Sequence, residues 1–188
     1  MPENKVTFGL KNVHVAPVKT IGADGVITYD EVFRFPGAMG LTLDPKGDSG
    51  AVKADDIDYH FINSNEGYDG KLKVPHIIEA FATKILGEIK DSQTGVMTEK
   101  GDAEPTAFAI MFEFSGDKNK TRHVLYYCSA SRPSNGSSTK NGTNVNEREL
   151  SFKASPRPSD KVVKVKTHKD TEKEKYDNFF KQVVTIPA

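Results

Sequence analysis

The chain has 188 residues, with 26 Lys plus Arg against 26 Asp plus Glu, so its formal net charge is zero. At 36% hydrophobic and 28% charged it is too apolar for a wholly disordered chain, and its length fits one domain that buries roughly 70% of its unfolded surface. Zero net charge excludes a domain-wide basic excess that seeks phosphates, a wholly acidic mimic and a polybasic membrane-surface protein, and it removes the repulsion that keeps monomers apart.

The N-terminus, Met1-Pro2-Glu3-Asn4-Lys5, is polar and carries no signal-peptide apolar region. No apolar stretch approaches the roughly 20 residues of a membrane span. The expectation is a protein made and kept in a cytoplasm until something releases it. Short alternating runs punctuated by Gly, Pro, Asn and Asp predict strands at residues 6–9, 13–18, 25–29, 32–43, 51–62, 70–74, 108–114, 122–130, 147–154 and 162–166. Turn chemistry separates them at Asp24-Gly25, Pro45-Lys46-Gly47-Asp48, Asp69-Gly70 and Ser115-Gly116-Asp117.

One helix stands out, at about 76–87. Ile77, Ile78, Phe81, Ala82, Ile85 and Leu86 form an amphipathic stripe, Pro75 suits its first turn and Gly87 its stop. A second, weaker helix over 171–182 has Tyr176, Phe179, Phe180 and Val183 as its apolar stripe. Residues 131–146 and, more mildly, 91–105 read as loops. The result is a single domain over 1–188 with a C-terminal extension at about 167–188. It is mainly β: two packed antiparallel sheets, a sandwich or barrel, with one flanking helix.

Strand alternation assigns faces. Ile57, Tyr59 and Phe61 point one way, and Asp56, Asp58 and His60 point the other, toward solvent or a lumen. Phe108, Ile110, Phe112 and Phe114 oppose Ala107, Ala109, Met111 and Glu113. Charge is also unevenly spread. Residues 1–100 hold 11 basic and 15 acidic residues, a net −4, and residues 101–188 hold 15 and 11, a net +4. Asp44, Asp48, Asp55, Asp56, Asp58, Glu66 and Asp69 face only Lys46 and Lys53 in the acidic stretch. Such polarity suits either a solvated loop or a subunit whose opposite faces attract.

No arrangement for catalysis emerges. Asp55-Asp56-Ile57-Asp58 lacks the ligand spacing and the Gly of a calcium loop. The five histidines have no zinc spacing, so no metal or other cofactor is expected. Ser137-Ser138-Thr139-Lys140 lies in a polar loop, not at a helix start. Asn135-Gly136-Ser137 and Asn141-Gly142-Thr143 match a glycosylation pattern without a secretion signal. Residues 161–175 mix bases with acids and lack interleaved aromatics, as a solvated face does. Cys128 is alone in an apolar run, so it reads as a buried inert thiol. From the residues alone the chain is a self-assembling or binding β protein and not an enzyme.

Longer signatures carry a resemblance. They are Lys5-Val6-Thr7-Phe8-Gly9-Leu10-Lys11-Asn12-Val13-His14, Gly40-Leu41-Thr42-Leu43-Asp44-Pro45-Lys46-Gly47-Asp48-Ser49-Gly50 with Ala54-Asp55-Asp56, and Asn63-Ser64-Asn65-Glu66-Gly67-Tyr68-Asp69-Gly70. Further along come Asp102-Ala103-Glu104-Pro105, Phe112-Glu113-Phe114, Arg122-His123-Val124-Leu125-Tyr126, Ser129-Ala130-Ser131-Arg132-Pro133 and Ala154-Ser155-Pro156-Arg157-Pro158. The chain resembles the major tail (tail tube) protein family of siphophages infecting Gram-positive bacteria.

The resemblance implies two packed sheets with a flanking helix, in hexameric rings stacked into a tail tube around a tape-measure protein. The tube meets tail terminator and distal tail proteins, is built in the host cytoplasm, and conducts DNA without binding it specifically. It implies two lumen hairpins, here about 36–62 and 107–130, and an inter-ring contact loop at Asp44, Pro45, Lys46, Gly47 and Asp48. Asp56, Asp58 and Glu113 are the expected lumen-facing acids, placed to repel DNA phosphates. The alternatives are the tube of a phage-derived tailocin and a carbohydrate-binding sandwich using Tyr29, Tyr59 and Tyr68, which the absence of Trp disfavours.

Overall fold

The computed structural model describes residues 9–54, 56–136 and 147–185. In chain order the elements are β1 (Leu10–Ile21), β2 (Ile27–Tyr29), β3 (Phe33–Arg34), β4 (Gly40–Lys46), β5 (Ser49–Ala54), β6 (Ile57–Asn63), β7 (Gly67–Val74), α1 (Glu79–Lys84), β8 (Ile89–Lys90), β9 (Met97–Thr98), β10 (Phe108–Phe114), β11 (Arg122–Ala130), β12 (Arg148–Ser155), β13 (Lys164–Lys166) and α2 (Lys173–Asp177). The chain is mainly β and antiparallel, as its alternation predicts. Nine strands hydrogen-bond into one open sheet of order β2-β1-β10-β11-β12-β7-β4, with β3 on β1 and β13 on β11. The ribbons β5–β6 and β8–β9 are separate. No barrel closes.

The large sheet stays continuous because two strands change partner along their length. The first half of β11 pairs β13 and the second half pairs β12. Likewise β1 pairs β3 and then β2. Between β10 and β11 the register jumps, from Phe108 opposite Cys128 to Ile110 opposite Leu125. The extra residue is a bulge. It turns both Leu125 and Cys128 into the same core cluster.

That core joins β1, β7, β10, β11 and β12 under α1. Phe35, Phe81, Phe108 and Phe152 run through it edge to face, with centroid separations of 5.3, 5.5 and 6.1 Å, the arrangement that ring quadrupoles favour. The helix is shorter than predicted. Ile78 is still extended at ψ 149°, so the first turn begins at Glu79. Gly87, at φ 77°, ends it as expected. Cys128 sits in this core, where burial pushes its thiol well up. It should resist a thiol reagent in the native protein and react as one equivalent after denaturation; rapid native labelling would contradict the placement.

The second face of β1, β10 and β11 is covered too. Ala16, Ala109, Met111, Val124 and Tyr126 are buried with Phe179, and Phe180, Val183 and Val184 pack beside it. The small residues Ala16 and Ala109 suit a seat for large rings. The predicted second helix is therefore one short turn, α2, inside a strap that lies across the sheet. Here the sequence expectation needs correction. The face carrying Ala109, Met111 and Glu113 is not open, because the chain's own C-terminal segment occupies it.

Candidate assembly surface

Asp44, Pro45 and Lys46 are not loop residues. They end β4, paired with Asp69, Tyr68 and Gly67 of β7. Because β4 is an edge strand, Pro45 lacks its N–H where a ladder loses least. Asp44 and Asp69 stand directly opposite each other, both exposed, a like-charge pair that mildly weakens this edge. Gly47 and Asp48 then carry the chain out of the sheet. The root of this excursion is tied by three backbone donors: Glu66 N–H to the Lys46 carbonyl, Ser64 N–H to the Asp48 carbonyl, and Asp48 N–H to Ser64 Oγ, each 2.8 Å.

Beyond the root stands an arm, the β5–β6 ribbon. Residues 51–62, predicted as one strand, fold back on themselves. The reversal passes through Asp56, in the left-handed region at φ 61°, a conformation Asp tolerates better than most residues. Asp56 therefore lies in the turn and does not share a strand face with Asp58. Asp58 is exposed on β6 opposite Lys53. The apolar face of β6 is not buried either. Ile57, Tyr59 and Phe61 are 63%, 75% and 65% exposed. The arm lies off the sheet, and no described residue buries them. A two-stranded ribbon is marginal alone, and contiguous exposed apolar side chains mark a surface that something else covers.

Glu113, the third predicted lumen acid, is half-buried and engaged by partners within the chain. Its carboxylate accepts from Asn12 Nδ2 at 2.7 Å and lies 3.6 Å from Arg122 Nε. Arg122 in turn stacks over Tyr176 and Phe180, at 3.8 and 4.7 Å from the ring centroids, and donates through Nη1 to the Tyr176 carbonyl. Glu113 thus orients the arginine that pins the strap. His14 adds a stack on Phe180 at 4.8 Å.

Of the two predicted lumen hairpins, β10–β11 is a hairpin. Segment 36–62 is not, since β4 pairs with β7 and the arm is inserted between them. The polar sheet face that is open belongs to β4, β7 and β12, with Thr42, Asp44, Asp69, Lys71, Lys73, Glu149 and Lys153. Lys71–Glu149 and Lys73–Glu147 approach to 3.6 and 3.4 Å across it, contacts that contribute little energy in water.

Chemical sites are few. Among the described residues no group of three or more His, Cys, Asp or Glu could hold a metal ion, and no helix is long and apolar enough to cross a membrane. Ser137–Lys140 lies outside the described residues. Of the tyrosines considered for sugar binding, Tyr29 donates its hydroxyl to the Tyr126 carbonyl at 2.9 Å and Tyr68 lies under Lys164. Tyr59, on the arm, is the exposed one of the three.

His123 stacks on Phe112 and meets the edge of Phe114, with centroids at 5.1 and 5.5 Å. Burial, and then Lys164 and Lys166, push its pKa down to about 4. A lowered folded value means that the unfolded chain takes the proton more readily. The stability is complete above about pH 6.5 and drains as pH falls toward 4. Between pH 7 and 4.5 the expected loss is about 1–2 kcal/mol, allowing for solvent screening of the partly exposed ring. His123→Phe should flatten that part of a Tm-against-pH curve. An unchanged slope would assign it to other groups, such as His14, which burial also lowers.

Arg157, from the signature Ala154-Ser155-Pro156-Arg157-Pro158, is a buried cation. Its Nε donates to Asp160 Oδ1 at 3.0 Å and its Nη2 to Oδ2. Its guanidinium lies 4.0 Å from the centre of the Tyr126 ring, whose hydroxyl donates to the Val184 carbonyl at 2.6 Å. Burial pushes that phenol up to about 12. The signature therefore locks the sheet to the strap.

No protein-family model matches the chain, and no curated protein matches it. Among solved structures it is similar to the cap that terminates the tube of the anti-feeding prophage, determined by cryo-EM. The two are 8% identical with a TM-score of 0.47, covering 88% of this chain and 95% of that one.

Proposed function

We propose that this chain is a non-catalytic structural subunit of a phage tail, one that self-assembles into stacked hexameric rings forming the tube of a siphophage. The single observation that carries this is the arm. It projects three exposed apolar side chains, Ile57, Tyr59 and Phe61, from a chain with no net charge. The signature stretches of the sequence support the same family. In this role the arm joins successive rings, and the unpaired edges of the open sheet take up neighbouring subunits, which removes edges that otherwise aggregate without limit. The tape-measure, tail terminator and distal tail proteins are the proposed partners. Assembly takes place in the host cytoplasm, and DNA passes through the finished tube without specific binding.

Negative-stain electron microscopy of the purified protein over a concentration series tests this. Hollow tubes or six-fold rings are the expected result. A particle that stays monomeric at every concentration overturns it. Tubes that form without a phage genome in the producing cell are equally expected of a tailocin.

A further inference from the structure

Eight large apolar side chains are exposed among the described residues, and five of them fall into two groups. Ile57, Tyr59 and Phe61 line the arm. Ile89 and Val96 stand on the small β8–β9 ribbon, at 49% and 58% exposure. That ribbon is held by its own turn, in which Asp91 Oδ1 accepts from the N–H groups of Gln93 and Thr94 at 2.7 and 2.8 Å. It presents its apolar side chains on a fixed shoulder, not on a slack loop.

The two groups sit at opposite ends of β7. Its first residue, Gly67, pairs with Lys46, where the chain leaves for the arm. Its last, Val74, pairs with Arg148. Arg148 lines a cleft of about 120 Å³ with Ile77, Leu86, Glu88, Glu99 and Arg132. Glu88 and Glu99 flank the β8–β9 ribbon in sequence, so shoulder and cleft are continuous. An eight-residue strand separates arm root and shoulder by roughly 24 Å.

Charge completes the match. Glu99 is neutralised by Arg132 at 3.0 Å. Half-buried Arg148 forms no ion pair with a described residue, and neither does Asp56 at the arm turn. Asp58 lies on the side of β6 away from the apolar stripe and so is not needed.

We propose that the arm of one copy seats its Ile57–Tyr59–Phe61 stripe on the exposed Ile89–Val96 shoulder of a second copy, with Asp56 reaching Arg148. This rests on the self-assembly proposed above and names the surface that receives the arm. Donor and acceptor differ and lie at opposite ends of one strand. Each copy can therefore give an arm and receive one, which propagates as an open stack.

The test uses the full chain in two ways. In the first, Tyr59→Cys and Val96→Cys are placed in one chain. Under mild oxidation a ladder of disulfide-linked multimers is expected, while each single variant gives at most a dimer. Buried Cys128 does not contribute. In the second, an arm variant (Tyr59→Ser with Phe61→Ser) and a shoulder variant (Ile89→Asp with Val96→Asp) are compared by sedimentation velocity, with circular dichroism to confirm folding. Each alone should lose self-association at least tenfold. Mixed, they should form a complex that stops at one arm–shoulder contact. If the arm variant fails to assemble, the shoulder variant assembles like the parent and the paired cysteines do not cross-link, the shoulder assignment is wrong and the arm docks elsewhere. If the parent itself never associates, the self-assembly proposal falls and this one with it.

Discussion

Gly47→Ala is expected to give a folded monomer that no longer assembles. A Cβ at this position would lie 2.0 Å from the Ser64 carbonyl oxygen and 2.9 Å from its carbon. Both are backbone atoms, so no side-chain rotation relieves the clash. The strands at the root must part, and the three hydrogen bonds that tie Lys46 and Asp48 to Ser64 and Glu66 lengthen or break. None of the core clusters includes the arm, so far-UV circular dichroism and Tm should move little. The arm's direction is what changes. In a stacked polymer each misdirected contact is repeated at every level, and a loss of 1.4 kcal/mol per contact is already tenfold in affinity. The critical concentration for assembly should rise by at least that factor. Assembly at the parent concentration would mean that the arm's direction is not set by its root.

Why the arm escaped a correct sequence reading is physical. Alternation along Ile57, Tyr59 and Phe61 records that one face of the segment is to be covered. It does not record which chain covers it, so a face awaiting another molecule reads the same as a core face. The reversal itself had a signal. Asp55-Asp56 interrupts the run with two residues suited to a turn, which is hairpin chemistry without the usual glycine. By contrast β10 and β11 were legible to the residue, because turn residues follow each of them and the runs Phe108–Phe112 and Val124–Cys128 are apolar throughout. The strap was half legible. Its stripe of Tyr176, Phe179, Phe180 and Val183 was visible, but its seat was not. Ala16, Ala109 and Met111 are too small or too plastic to announce a second buried face, and Glu113 beside them looked like a solvent charge. Its partner Arg122 lies just across the β10–β11 turn, but only the hairpin register sets the two directly opposite each other.

Arg157→Ala should damage the monomer severely, costing about 3 kcal/mol, which for a chain of this size is a drop of roughly 6–12 °C in Tm. Three contacts are lost together: the two-pronged hydrogen bond to Asp160, the stack on Tyr126, and the packing of a side chain only 7% exposed. Asp160 is left poorly hydrated, with its remaining bond from the Val162 N–H at 3.1 Å. The geometry also fixes a pH signature. The hydrogen bonds from Arg157 hold the Asp160 carboxyl below its ordinary value. Its contribution is therefore present above about pH 4 and is lost as pH falls through the lowered folded value. Arg157→Ala should remove that acid-side loss along with the stability, and Asp160→Asn should remove it at smaller cost. Arg157→Lys keeps the charge but not the planar fork or the stack, so it should recover less than half of the difference. A double-mutant cycle on Arg157 and Asp160 separates the pair from the packing. Coupling near zero would assign the whole effect to the Tyr126 stack and make the signature arginine a packing residue whose charge is incidental.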